Sequence, residues 1–179
     1  IMAGLDTPTN GTVHIDGQDI TAMDEEGRAA VRARHVGFVF QSFHLLPALT
    51  ALENVALPLE LQKGGDAMDI AGSYLQRVGL ADRTGHYPRQ LSGGEQQRVA
   101  VARAFACKPT ILFADEPTGN LDSVTGETIN DLLFELNREA GTTLVIVTHE
   151  HSLASRCSRQ LHLKSGLQFT PVTEMSVKC

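Results

Sequence analysis

Three short apolar runs constrain what this chain of 179 residues can fold into more than any other feature. Val36-Gly37-Phe38-Val39-Phe40 leads into Gln41, Ile111-Leu112-Phe113-Ala114 into Asp115 and Glu116, and Leu144-Val145-Ile146-Val147 into Thr148 and His149. None alternates apolar with polar residues, as a strand with one wet face would. Such runs suit the centre of a parallel sheet covered by helices on both faces. Ligands of these sheets bind beyond the carboxyl ends of the strands, so the three polar ends are expected to converge on one site. A single strand end would mean little; the convergence carries the information.

Helical patterns lie between the runs. Ile129, Leu132, Leu133 and Leu136 recur at i, i+3, i+4 and i+7, with Gly141 placed to stop that helix. Val99, Ala102, Phe105 and Ala106 mark a second apolar stripe that ends before Pro109. The stretch from Leu45 to Arg89 is apolar and helix-prone but broken by Pro47, Pro58, Gly64-Gly65 and Pro88. Having no clear strand, it reads as a helical insertion off the main sheet. The alternating stretch Gly11 to Gly17 reads as a β-hairpin arm. There are no repeats, and the tail after Gly166 offers nothing to read.

Composition excludes several classes. The formal net charge of -6 argues against a nucleic-acid partner, because phosphate neutralisation needs a basic face. No apolar run comes near the roughly 20 residues that span a bilayer. No charged-then-apolar segment with a small-residue cleavage site opens the chain, which argues against secretion. Cys107, Cys157 and Cys179 are scattered without metal-ligand spacing and fit reduced thiols of a cytosolic protein.

The strongest motif is Leu91-Ser92-Gly93-Gly94-Glu95-Gln96-Gln97-Arg98. Ser92 as N-cap with Glu95 three residues on makes a capping box. Capping does not account for two consecutive glycines, which cost helix stability and bring no side-chain contacts. A helix start with bare backbone N–H groups and a hydroxyl suits an anion such as phosphate.

This octamer matches the signature motif of ABC transporter ATPases, and the chain resembles that family over essentially its whole length. It is most similar to the branch holding the lipoprotein-releasing and macrolide-export ATPases, through Phe40-Gln41-Ser42-Phe43, Leu52-Glu53-Asn54-Val55 and Pro117-Thr118-Gly119-Asn120-Leu121-Asp122. The resemblance implies an α/β fold: a P-loop NTPase-like parallel sheet with flanking helices, an antiparallel β arm, and a helical subdomain at about 45–95, residues 1–179 forming one partial domain. It implies ATP and Mg²⁺ as ligands. The implied partners are a second ATPase subunit, with a homodimer expected, and a transmembrane permease, with the chain peripheral on the cytoplasmic face of the membrane.

Site residues follow from the same resemblance. Thr110 to Glu116 resembles the Walker B strand, in which Asp115 helps hold Mg²⁺ and Glu116 acts as general base toward the attacking water. Gln41 matches the Q-loop glutamine, a ligand for Mg²⁺ or the water, although a lone glutamine after a strand is ordinarily a surface residue. His149 matches the switch histidine, which contacts the γ-phosphate; His149-Glu150-His151 also invites a metal reading, which the opposite facing of alternate strand residues disfavours. Ser92, Gly93, Gly94 and Gln96 cap the γ-phosphate held by the neighbouring subunit. Asp122 matches the D-loop, and it can cap the following helix as well as act across the dimer.

One departure matters. Gly-x-x-x-x-Gly-Lys-[Ser/Thr] does not occur, and Lys63-Gly64-Gly65 lacks the spacing to replace it. Ile1-Met2-Ala3-Gly4-Leu5-Asp6 resembles the end of the helix that follows such a loop: either the loop lies upstream of Ile1 or the chain is a remnant without it. Without it the chain is expected to bind ATP poorly. Two other readings stand beside the transporter ATPase: a non-catalytic remnant, and a soluble ABC ATPase of DNA repair or translation. The latter carry long coiled-coil insertions or tandem modules, which this chain lacks.

Overall fold

The computed structural model describes residues 1–62 and 65–169. They fall into two compact units, residues 1–147 and the part of the chain from Thr148 onward. Lys63 and Gly64 of the lysine–glycine stretch considered above, and Cys179, lie outside the described residues.

The first unit opens with a turn in which the Gly4 N–H donates to the Ile1 carbonyl at 2.8 Å. Gly4 is left-handed at φ 69, the conformation in which glycine ends helices. Strands β1 (His14–Ile15) and β2 (Gln18–Asp19) form the expected hairpin. Asp16 and Gly17 both have positive φ (50 and 74), as a two-residue hairpin turn demands.

Helix α1 (Glu25–His35) was not foreseen from sequence. It buries only Val31, so no apolar stripe announces it. Polar signals build it instead: the Asp24 carboxylate accepts from the Gly27 N–H at 2.8 Å, Glu25 and Glu26 occupy the first turn, and Arg32, Arg34 and His35 the last.

The central sheet contains β3 (Val36–Phe40), β4 (Ile111–Asp115) and β5 (Thr143–Val147), parallel and in that order. Between β3 and β4 run α2 (Ala51–Leu61), α3 (Ala67–Arg77), two 3₁₀ turns (Ala81–Arg83 and Pro88–Gln90) and α4 (Gly93–Ala106). Helix α5 (Ser123–Ala140) joins β4 to β5 and stops at left-handed Gly141 (φ 65), as its spacing indicated.

The sheet departs from the expectation of two fully covered faces. Burial along β3 and β4 alternates. Gly37, Val39, Leu112 and Ala114 are buried, whereas Phe38, Phe40 and Phe113 are half-buried and stack with one another at 5.4 and 6.0 Å between centroids. A non-alternating apolar run means both faces are apolar, not that both are equally covered. On the buried face α4 comes so close that a Cβ on Gly37 would lie 2.9 Å from the Ala104 carbonyl. Glycine is required there by that approach.

Helix α4 is the centre of the core. Val99, Ala100, Val101 and Ala102 are fully buried, and the helix packs on α2, α3, α5 and β3. Pro58 does not break the insertion as expected, since it sits inside the last turns of α2. A proline there removes one ladder hydrogen bond, and burial of Val55, Ala56 and Leu59 against the neighbouring helices outweighs that loss.

In the second unit, α6 (His151–Ser155) is followed by an antiparallel hairpin, β6 (His162–Lys164) and β7 (Leu167–Phe169). Among the described residues, no helix is long and apolar enough to cross a membrane.

Candidate active site

Register brings the strand ends level. Phe40 pairs with Asp115 and Asp115 with Val147, so β3, β4 and β5 terminate along one edge of the sheet. Gln41, Asp115 and Glu116 are thereby gathered at that edge. Asp115 closes its strand with an exposed carboxylate.

At Glu116 the backbone turns left-handed, with φ 44. Its N–H still donates to the Val147 carbonyl at 2.9 Å, and its carbonyl accepts from Gly119 N–H at 3.1 Å. A non-glycine residue held this way costs on the order of 1–2 kcal/mol. The turn follows directly on Asp115, the last residue of β4.

Gln41 is held by Asn120. Gln41 Nε2 donates to Asn120 Oδ1 at 3.1 Å, and Asn120 Nδ2 donates to the Gln41 carbonyl at 3.0 Å. Because only the amide nitrogen is used, Gln41 Oε1 keeps its lone pairs for a cation or water. Gly119 makes room for this pair, as a Cβ there would fall 2.7 Å from Gln41 Nε2.

The segment after Gln41 is strained and pinned. Phe43 and His44 both have positive φ (60 and 48), and the Arg103 guanidinium donates to their carbonyls at 2.9 and 2.6 Å. Burial draws the Arg103 guanidinium below its ordinary pKa. Asn54, itself buried, accepts from Leu46 N–H and donates to the carbonyls of Leu46, Leu49 and Thr50.

At the start of α4 the capping box is present. Ser92 Oγ accepts from Glu95 N–H at 3.3 Å, and Glu95 accepts from Ser92 N–H at 2.8 Å. That backbone bond is the main cause holding the Glu95 carboxyl below its usual range, and Arg83 adds to it at 3.3 Å. The Ser92 hydroxyl adds to the lowering of the Glu95 carboxyl, so both the N–H and the side chain of Ser92 serve the cap.

The glycines gain a packing role that sequence did not indicate. A Cβ on Gly94 would stand 2.5 Å from Thr125 Cγ2, and one on Gly93 3.4 Å from Leu121 Cδ2. The start of α4 therefore packs closely on the start of α5. Asp122 caps α5 by accepting from Thr125 N–H at 3.0 Å, and the Thr125 hydroxyl and N–H hold its carboxyl below the usual range.

Gln96 turns back to donate to the Leu91 carbonyl at 3.1 Å. Gln97 is wholly buried and donates to the Pro117 carbonyl at 2.5 Å. His149 belongs to the second unit, exposed, in a turn where Glu150 N–H donates to Thr148 Oγ1 at 3.0 Å.

Sequence reasoning did not single out Gln97, Arg103, Asn120 or Gly119. Gln97 lies in the octamer Leu91 to Arg98, but nothing in that stretch marked it as buried or gave it a separate role. Gly119 and Asn120 stand in the motif Pro117 to Asp122, which carried the family resemblance but gave a site role only to Asp122.

The donor set suits Mg²⁺. Among the described residues no group of three or more His, Cys, Asp or Glu is arranged to hold a metal ion. Mg²⁺ is usually bound through one or two carboxylates, water and substrate phosphates, not by an all-protein cage. Asp115 with the Gln41 oxygen at one sheet edge is a set of that kind.

Comparison with known proteins shows the family. A family model described as ABC transporter matches residues 1–119. The chain is 58% identical over 168 residues to a protein of Escherichia coli (strain K12) named uncharacterized ABC transporter ATP-binding protein YbbA, covering 93% of this chain and 74% of that one. It is 49% identical over 170 residues to the lipoprotein-releasing system ATP-binding protein LolD of Shewanella frigidimarina (strain NCIMB 400), covering 93% and 71%. Among solved structures, the dimeric post-hydrolysis state of the ATP-binding cassette MJ0796 bound to ADP and Pi superposes with a TM-score of 0.82 at 45% identity, covering 92% of this chain and 73% of that one.

Proposed function

Since the chain belongs to the ABC transporter family, we propose that it serves in an ATP-hydrolysing subunit that closes as a dimer and drives a membrane permease. The observation that carries this reading is the gathering of Gln41, Asp115 and left-handed Glu116 at one sheet edge.

In this mechanism the Asp115 carboxylate and Gln41 Oε1 would hold Mg²⁺, and the ion would supply charge neutralisation for the phosphates. Glu116 orients the attacking water and accepts its proton. His149 contacts the γ-phosphate. Ser92, Gly93 and Gly94 present a hydroxyl and backbone N–H groups to the phosphate held by the neighbouring subunit, with Gln96 and Asp122 beside them. Each chain supplies half of each site, so turnover requires two copies. The phosphate-binding lysine loop is not among the 179 residues, and activity is assigned to a chain that carries one.

The helical insertion is taken as the permease contact, and the chain as peripheral on the cytoplasmic face of the membrane. A relative named for lipoprotein release supports outward transport or extraction of a lipid-linked cargo.

The test is ATP-dependent association of the Glu116→Gln variant, followed by light scattering in a chain carrying the phosphate loop. Blocked turnover should trap a dimer. A variant that binds ATP and stays monomeric would overturn the shared-site mechanism.

A further inference from the structure

We infer that Gln97 is a positioning residue for Glu116, fixing from inside the core the turn that presents the proposed general base; this rests on the reading of Glu116 given above. Backbone and side-chain hydrogen bonds together anchor the turn. Glu116 N–H is tied to the Val147 carbonyl, and Gly119 N–H to the Glu116 carbonyl. Gln97 adds to these from inside the core, its carboxamide donating to the Pro117 carbonyl.

The identity of the residue supports a dedicated role. Gln97 is fully buried within α4, among Val99, Ala100, Val101 and Ala102. A carbonyl can only accept, so the amide nitrogen must face Pro117, and this orientation leaves Gln97 Oε1 buried with no hydrogen-bond partner among the described residues. A buried polar atom left unpaired is costly. An apolar side chain would avoid that cost and fill the same space, yet it could not hold Pro117.

The neighbouring backbone needs such a hold. Glu116 is left-handed without being glycine, and strain of this kind persists only where surrounding contacts over-determine it. Pro117 has no N–H, so its carbonyl is the one backbone hydrogen-bonding group by which that residue can be fixed. Gln97 lies in the helix that begins at Ser92. The bond therefore ties the phosphate-facing helix start to the base carboxylate of the same chain.

The experiment compares Gln97→Met and Gln97→Glu with wild type in the chain carrying a phosphate loop, measuring kcat, ATP affinity and thermal midpoint. Methionine keeps the volume and removes the donor. It should leave ATP affinity within about twofold while kcat falls roughly ten- to a hundredfold, as small misplacements of a reacting group do. Glutamate can donate to the Pro117 carbonyl only when protonated, and burial raises its pKa. The kcat of Gln97→Glu should therefore recover as pH falls and be lost as pH rises, and this arm remains readable if Gln97→Met fails to fold. Wild-type kcat in Gln97→Met, or kcat and ATP affinity falling together with the folded fraction in both variants, overturns the inference. Glu116→Gln run in parallel separates the two claims. If it abolishes turnover and Gln97→Met does not lower it, only the positioning role fails; if it turns over normally, the base assignment fails and the inference with it.

Discussion

Gln41 and Asn120 clasp each other, each amide donating one hydrogen bond, so that the loops leaving β3 and β4 are locked at the sheet edge. The clasp holds the Gln41 side chain by its nitrogen and leaves the oxygen available. In the proposed mechanism, that oxygen would serve the metal or the water.

Replacing Asn120 by alanine removes both bonds. They are exposed, so the loss in stability should stay near the lower end of the 0.5–1.5 kcal/mol that such bonds contribute. The effect should appear in turnover, as a fall of about fivefold from a freely rotating Gln41. Steady-state kinetics beside a melting curve measure both; equal kinetics would show that the clasp is incidental.

Gly94→Ala places a methyl 2.5 Å from Thr125 Cγ2. Alanine ordinarily gains up to ~1 kcal/mol over glycine in a helix. Overpacking against a β-branched neighbour should exceed that gain, giving a net loss of about 1–2 kcal/mol. Adding Thr125→Ser deletes the opposing methyl and keeps the hydroxyl, so the double variant should regain the loss. Denaturant titration of the four proteins in the cycle tests the coupling.

Glu116→Gly should separate stability from activity. Relief of the left-handed strain, about 1–2 kcal/mol, opposes the ~0.5–1 kcal/mol that glycine costs in conformational freedom. The melting point should hold or rise while turnover vanishes. A clear drop in melting point would mean that the glutamate side chain contributes to stability more than its strain costs.

Acid should loosen the start of α4. The Glu95 carboxyl is held below its ordinary 4.5, mainly by the Ser92 N–H. A depressed carboxyl contributes stability that is present above its unfolded pKa and lost as pH falls through its folded one. Stability should thus decline below about pH 4.5, and Glu95→Gln should flatten that decline. Melting curves across pH 3–6 read the difference.

Legibility in the sequence followed apolar pattern and local motif. The span of β3 from Val36 to Phe40, the stop at Gly141 and the capping box of Ser92 and Glu95 were all readable, because each is written in adjacent residues. Helix α1 was not, since it buries one residue and is built by charge and capping. Pro58 misled because its cost is local while the burial that overrides it is tertiary. The site showed the same division. Its candidate residues were found from strand ends and motif. The contacts that set them, Gly94 on Thr125, Asn120 on Gln41 and Gln97 on Pro117, join segments whose pairing no single stretch of sequence records.

The central claim is hydrolysis of ATP with Glu116 as base, and phosphate release measures it most directly. The chain completed by a phosphate-binding loop should release phosphate from Mg²⁺–ATP, and Glu116→Gln should bind ATP as tightly while releasing essentially none. Undiminished release from Glu116→Gln would contradict the account.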